Sequence, residues 1–422
     1  MEVLNPVLVG FTGCLMVSFL LAEFFNTLRY PRVLGYISTG IIFNIPVIKS
    51  FMLHPAFHPL IEFLSDVGIV FFLLLAGAEI DVTKLKRMSL PAAAVGLLSF
   101  TIPFILGLVF LSSIGFNATS SFILSMCLSV TAAAVAVEIL MEYGLLKTND
   151  GSIIVGASMI DDLLGVLALT VILVLIKAEG AVASSILTVF LRMFLEYMAF
   201  FLIAYVLGFR IYPFIARFIW REMSDSGILT LSIIFGLMIT ILSQVFGLSS
   251  LIGAFIAGLI INLTVKNKVE GREIVKGLNT LTFGLIIPFF FILIGLKFNL
   301  ISVLTDFPLL IALVLIAGLG KYSGVFIAGK LTGLNQASIN TVGLGMNDRG
   351  GIELIIALVA VSNGLISNSM FSIIVSVAFI TTFISLFYFK KQIHENLKNL
   401  GVLVDGVLTT GGEKHTKLQD IK

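Results

Sequence analysis

Residues 157–175, ASMIDDLLGVLALTVILVL, set two adjacent carboxylates in an otherwise apolar stretch, and polarity resumes only at Lys177. In a membrane helix, a carboxylate near the bilayer centre costs about 2.5–3.5 kcal/mol on insertion scales. Two neighbouring carboxylates also resist ionising together. Folding alone gives no reason to keep such a pair, so Asp161 and Asp162 are candidate ion and proton carriers. Ser158 precedes them by three and four residues, on the same face of a helix, and offers a further oxygen. Sodium and lithium are hard cations suited to carboxylate, hydroxyl and carbonyl ligands.

A third charge falls in LIALVLIAGLGKYSGVFIAGKL, where Lys321 lies well inside an apolar run and Lys330 at its end. Lys330 can snorkel to the interface, whereas a buried Lys321 needs a carboxylate partner. Two segments are too polar for uninterrupted membrane helices. CLSVTAAAVAVEIL (127–140) holds Ser129 and Thr131, and GLGMNDRGGIELII (343–356) holds Asn347, Asp348, Arg349, Gly350, Gly351 and Glu353. Both read as interrupted helices, whose exposed backbone groups face an ion in membrane transporters. Arg349 and Glu353 are four apart and are expected to pair along a helix, as are Arg192 and Glu196. Glu79 closes an apolar run before DVTKLKR and suits either the interface or a supporting place at the site. Neither the two cysteines nor the four histidines show metal-ligand spacing, and residues 391–422 carry no G-x-G-x-x-G pattern, so no resident cofactor is expected.

These residues need a membrane around them, and the composition supplies it. The chain is 58% hydrophobic and 12% charged, against about 25% charged for soluble domains. That excludes a soluble enzyme and a nucleic-acid-binding protein. Counting apolar runs of about 20 residues gives thirteen expected spans, the first at 6–26 and read as retained, the second at 32–48 and the last at 369–389. The two polar segments fall in spans 120–141 and 337–361, the aspartates in 152–176 and Lys321 in 307–329. Loops on the N-terminal side carry three Lys/Arg and those on the opposite side twenty. By the positive-inside rule the N-terminus is expected outside a cell membrane and the C-terminus in the cytoplasm.

The spans repeat. LGYISTGII (34–42) aligns with IGAFIAGLI (252–260), and FFLLLAGAEID (71–81) with FFFILIGLKFN (289–299), each at an offset of 218 residues. Gly35, Gly40 and Gly77 thereby fall on Gly253, Gly258 and Gly295, and Thr131 falls on Arg349. Six spans per copy joined by one linker span place the copies in opposite orientations, as in many transporters. The expected organisation is a first repeat over 1–182, a linker helix and loop over 183–226, a second repeat over 227–390 and a tail over 391–422. The fold class is all-α and polytopic, with about thirteen membrane helices and two crossing discontinuous ones.

The motifs ASMIDDLLGVLAL, VTAAAVAVEILMEYGLL, GLGKYSGVFIAGK and GMNDRGGIELIIA together resemble sodium/proton antiporters, in particular the monovalent cation:proton antiporter-2 family, over residues 6–390. The resemblance implies a homodimer with a dimerisation domain and a mobile six-helix core. It implies Asp162 as the main carrier of cation and proton, and Asp161 as the partner of Lys321 when no cation is bound. Sodium would sit at Asp161 and Asp162, with Thr131, Ser129, Ser158, Glu79, Arg349 and Glu353 as supports. Some relatives place an aspartate after the threonine of the first break, where this chain has Ala132, and many place a glutamate where it has Gly351. The implied activity is electrogenic exchange of Na+ or Li+ for H+ by alternating access, with lipid and a second copy as partners. Potassium/proton antiport and sodium-coupled solute symport are the alternatives. An intramembrane aspartyl protease would hold its two aspartates on separate, facing helices, and a channel would have no need of Lys321.

Overall fold

The computed structural model describes residues 5–28, 30–46, 48, 57–80, 89–132, 134–146, 148–178, 186–215, 225–265, 268–399, 403–404 and 407–408. Regular structure among them is helical apart from one short antiparallel pairing, Leu403–Val404 with Val407–Leu408. In hydrocarbon every backbone N–H and C=O must find its partner within the protein, and helices meet that demand within a single segment. The helices in chain order are α1 (Pro6–Thr27), α2 (Arg32–Phe43), α3 (His58–Glu79), α4 (Leu90–Ser113), α5 (Ala118–Ser129), α6 (Ala134–Glu142), α7 (Asn149–Ala178) and α8 (Ile186–Val206). They continue with α9 (Asp225–Val245), α10 (Ser250–Thr264), α11 (Lys268–Leu281), α12 (Ile287–Lys297), α13 (Leu300–Thr305), α14 (Phe307–Leu331), α15 (Gln336–Gly345), α16 (Ile352–Ser362) and α17 (Asn368–Asn399).

Nine helices among the described residues are long and apolar enough to cross a bilayer. The other four expected spans are α2, α10 and the two interrupted ones, α5/α6 and α15/α16. The second span was expected to run over 32–48, but its helix α2 stops at Phe43. Twelve residues at about 1.5 Å each make ~18 Å, well short of the hydrocarbon core. The side chain of Arg192 lies outside the described residues, so its expected pairing with Glu196 has no structural account.

Helix limits recur at the 218-residue offset seen in the sequence. The α5 and α15 starts and the N-caps Asn117 and Asn335 are each separated by that number. The two asparagines accept from Ser120 N–H at 2.7 Å and Ser338 N–H at 2.8 Å, satisfying donors that a helix start otherwise leaves open.

The chain folds into two compact units, each drawing helices from both halves of the sequence. One contains residues 1–24, 35–83 and 173–296, and its core is a pair of close crossings. A Cβ at Gly77 would strike the Phe255 carbonyl of α10, and one at Gly258 would strike the Leu74 carbonyl of α3. The same contact recurs 218 residues on, between Gly295 of α12 and Ile37 of α2, and between Gly40 and Ile292. Here glycine is required because helix backbone meets helix backbone, the small-residue packing common in membranes.

The other unit contains residues 25–34, 84–172 and 297–422. In it α14 lies against α4, with Gly324 seated on the backbone of Leu98 and Ser99. Both interrupted helices and α7 as far as residue 172, with its two aspartates, belong to this unit.

Candidate functional site

Asp161 and Lys321 are both fully buried, and the Lys321 ammonium donates to Asp161 Oδ2 at 2.8 Å. The same ammonium donates to the Ser129 carbonyl, the last of α5 before the first break. A buried ammonium without a countercharge would cost several kcal/mol. The pair answers that cost, and the free carbonyl at a helix end supplies a second acceptor. Asp162 follows on α7 and is half-buried, turned about 100° around the helix from Asp161. Ser158 is also half-buried and donates to Val155 O at 3.0 Å within the same helix.

The two breaks are bound to each other by residues that the repeat makes equivalent. Thr131 donates its hydroxyl to Met346 O at 3.0 Å. Arg349, its counterpart 218 residues on, donates to Leu128 O at 2.6 Å, the counterpart of Met346. Arg349 also reaches Cys127 O at 3.0 Å and Val130 O at 3.2 Å, so its guanidinium covers the open carbonyl end of α5. The negative end of a helix dipole attracts a cation there. One backbone bond completes the crossing, Ala132 N–H to Asp348 O at 2.9 Å.

The expected Arg349–Glu353 pair along a helix does not form. Helix α16 begins only at Ile352, so Arg349 stands before it and the four-residue register that pairing requires is absent. Arg349 turns to α5 instead, and the Glu353 carboxylate turns back to accept from Gly350 N–H and from Gly351 N–H, the latter at 3.2 Å. Gly350 has φ +134°, a backbone conformation that L side chains rarely adopt. Thr382 of α17 pins the same segment, accepting from Arg349 N–H at 2.9 Å and donating to Arg349 O at 3.0 Å.

Ser129, Thr131, Ser158, Asp161, Asp162, Lys321, Arg349 and Glu353 thus belong to one compact unit, and Glu79 lies in the other, exposed at the end of α3. The Ser129 hydroxyl is spent on Ser125 O at 2.8 Å, leaving its carbonyl to do the work at the break. Two buried residues of the second break had no assigned role from sequence. Asn347 donates to Gly318 O of α14 at 3.0 Å, and Asp348 is 1% exposed. Their polarity inside an apolar span was the available signal. Asp161 Oδ1, Asn347 Oδ1 and Asp348 Oδ1 are buried oxygens with no protein donor, and such oxygens are places where a proton, water or cation can be taken up.

A membrane-embedded carboxylate–ammonium pair set against two crossing, interrupted helices defines a secondary transporter. Residues 15–390 match the model of the sodium/hydrogen exchanger, transmembrane family, and the chain belongs to that family. It is 30% identical over 369 residues to the Na+/H+ antiporter of Enterococcus hirae, covering 87% of this chain and 93% of that one. It is 27% identical to the Na+/H+-K+ antiporter GerN of Bacillus cereus, covering 85% and 89%. The fold resembles that of the sodium proton antiporter MjNhaP1 of Methanocaldococcus jannaschii, with a TM-score of 0.65 at 15% identity, covering 91% of this chain and 96% of that one. The protein is therefore a multi-pass membrane transporter and not an enzyme.

Proposed function

We propose that the protein exchanges Na+ or Li+ for H+ by alternating access, with Asp162 as the carrier and Asp161–Lys321 as the coupled pair. The observation that carries this reading is the fully buried 2.8 Å pair beside a second, half-buried carboxylate on the same helix. When a cation draws Asp161 into its coordination, Lys321 loses its countercharge and releases a proton to restore local neutrality. The unit holding α4–α7 and α14–α17 would then be the part that carries the ion across. The proposed arrangement is a homodimer in the cell membrane, with the N-terminus outside and the C-terminus in the cytoplasm.

The test is cation-driven proton flux in proteoliposomes, compared across sodium, lithium and potassium with no organic solute present. Sodium and lithium are expected to dissipate an imposed proton gradient. A response to potassium alone would replace this reading with potassium/proton antiport, the activity that the GerN name includes. A second outcome concerns charge. If Lys321 releases a proton in each cycle, more protons than sodium ions move, and exchange responds to membrane potential. Lys321→Gln is then expected to leave transport electroneutral or inactive. An active Lys321→Gln protein with the wild-type voltage response would remove Lys321 from the cycle.

A further inference from the structure

The side of α6 turned away from the core carries a carboxylate within a membrane span. Ala136, Ile139 and Leu140 of α6 are buried in one apolar cluster with Ile153, Ile154 and Ala157 of α7. At about 100° per residue, that packing fixes the rotation of both helices. It leaves Glu138 on the opposite side of α6, where it is exposed. Glu138 lies inside the expected span 120–141, about 6 Å along α6 from Ala134. On α7 the side away from the same cluster holds Ser152, Val155, Met159 and Asp162, three and four residues apart. Ser152 is exposed and the other three are half-buried. Every turn from the start of α7 to Asp162 therefore keeps an accessible residue.

The second break differs. The repeat counterpart of Glu138 is Ile356 of α16, which is fully buried, as are the residues around it from 352 to 358. Inverted repeats place two such half-helices on opposite sides of the membrane midplane. One side of the breaks is thus accessible and the other is closed.

We infer that an aqueous approach to Asp162 is open on the α6 side of the breaks, and that Glu138 draws cations along it. Charged groups within membrane segments face the protein interior or a water-filled cavity, because hydrocarbon against them is costly. Glu138 is not interior, so water lies against α6, and the accessible turns of α7 fit the same cavity. A negative charge between low-dielectric walls raises the local concentration of cations. By the positive-inside rule this is the cytoplasmic side. Glu138 does not hold the transported ion at the carrier; it fills the approach with cations. The inference rests on the antiporter reading and concerns a residue outside the carrier pair.

Glu138→Gln is expected to raise the sodium KM at the cytoplasmic face about fivefold at low ionic strength. The maximum rate and the KM at the outer face should be retained, and Glu138→Asp should keep the wild-type value. Choline chloride should raise the wild-type KM towards that of Glu138→Gln and leave the variant nearly unchanged, because salt screens the charge. Glu138→Cys separates charge from shape, using membrane-impermeant methanethiosulfonates applied to the cytoplasmic face. Both native cysteines are buried, so the parent protein is the labelling control. A sulfonatoethyl adduct, which is anionic, is expected to return the KM to near wild type. A trimethylammonium adduct, which is cationic, is expected to raise it further. Failure of Glu138→Cys to label from that face, read by mass, would overturn the aqueous approach. Equal KM changes with the two adducts, or a wild-type KM indifferent to salt, would overturn the role of the charge. A parent protein without sodium-driven proton flux would overturn the antiporter reading instead. Labelling needs no transport and decides the approach in that case as well.

Discussion

Asp162→Asn is expected to reduce exchange to the level of protein-free vesicles while the protein stays folded and monodisperse. A carboxamide has nearly the shape of the carboxylate but neither ionises nor binds a proton in this pH range. A sodium ion entering a low-dielectric site then meets no countercharge at that position. The neighbouring substitution has a different signature. Asp161→Asn removes the countercharge of a fully buried ammonium that sits 2.8 Å from it, and breaking one side of a buried pair costs about 3–5 kcal/mol. The two aspartates, adjacent in sequence, are thus separable. Thermal unfolding should fall sharply for Asp161→Asn and little for Asp162→Asn, while exchange is lost in the latter whatever its stability. Wild-type exchange by a folded Asp162→Asn protein would remove Asp162 from the transport cycle.

Some of this site was legible in the sequence for a simple physical reason. Asp161, Asp162 and Lys321 are charges inside apolar helices, and hydrocarbon makes any such charge conspicuous. The 218-residue repeat was legible through Gly40, Gly77, Gly258 and Gly295, because close crossings of backbones leave room for no other residue. The direction of Arg349 and Glu353 was not. Four-residue spacing implies a shared helix face only where a helix exists, and α16 starts three residues after Arg349. Once the break removes that register, Arg349 serves α5 and Glu353 serves its own helix start. The interleaving of the units was likewise beyond reach, because spans following one another in sequence divide between two bodies.

The apparent sodium KM is expected to rise as pH falls, with little change in the maximum rate at saturating sodium. One carboxylate serves both ions in the proposed cycle. Sodium requires the ionised form of Asp162, and a proton occupies the same oxygens, so each ion excludes the other. Linkage then requires that proton binding weaken sodium binding by the factor by which sodium weakens proton binding. Above the pKa of the site, protons are too scarce to compete and the KM is flat. Below it the KM should climb towards about tenfold per pH unit, as each bound sodium must displace one proton. Saturating sodium wins that competition at any moderate pH, which is why the maximum rate holds. Release of a second proton from Lys321 on sodium entry would steepen the slope beyond tenfold, and Lys321→Gln would return it to the single-proton value if that variant remains active. The measurement is initial exchange rate against sodium concentration at several pH values, with pH equal on both faces so that no gradient drives the flux. A KM that stays flat over about three pH units while the maximum rate falls would place pH sensitivity at a group separate from the carrier, and direct competition at Asp162 would be wrong.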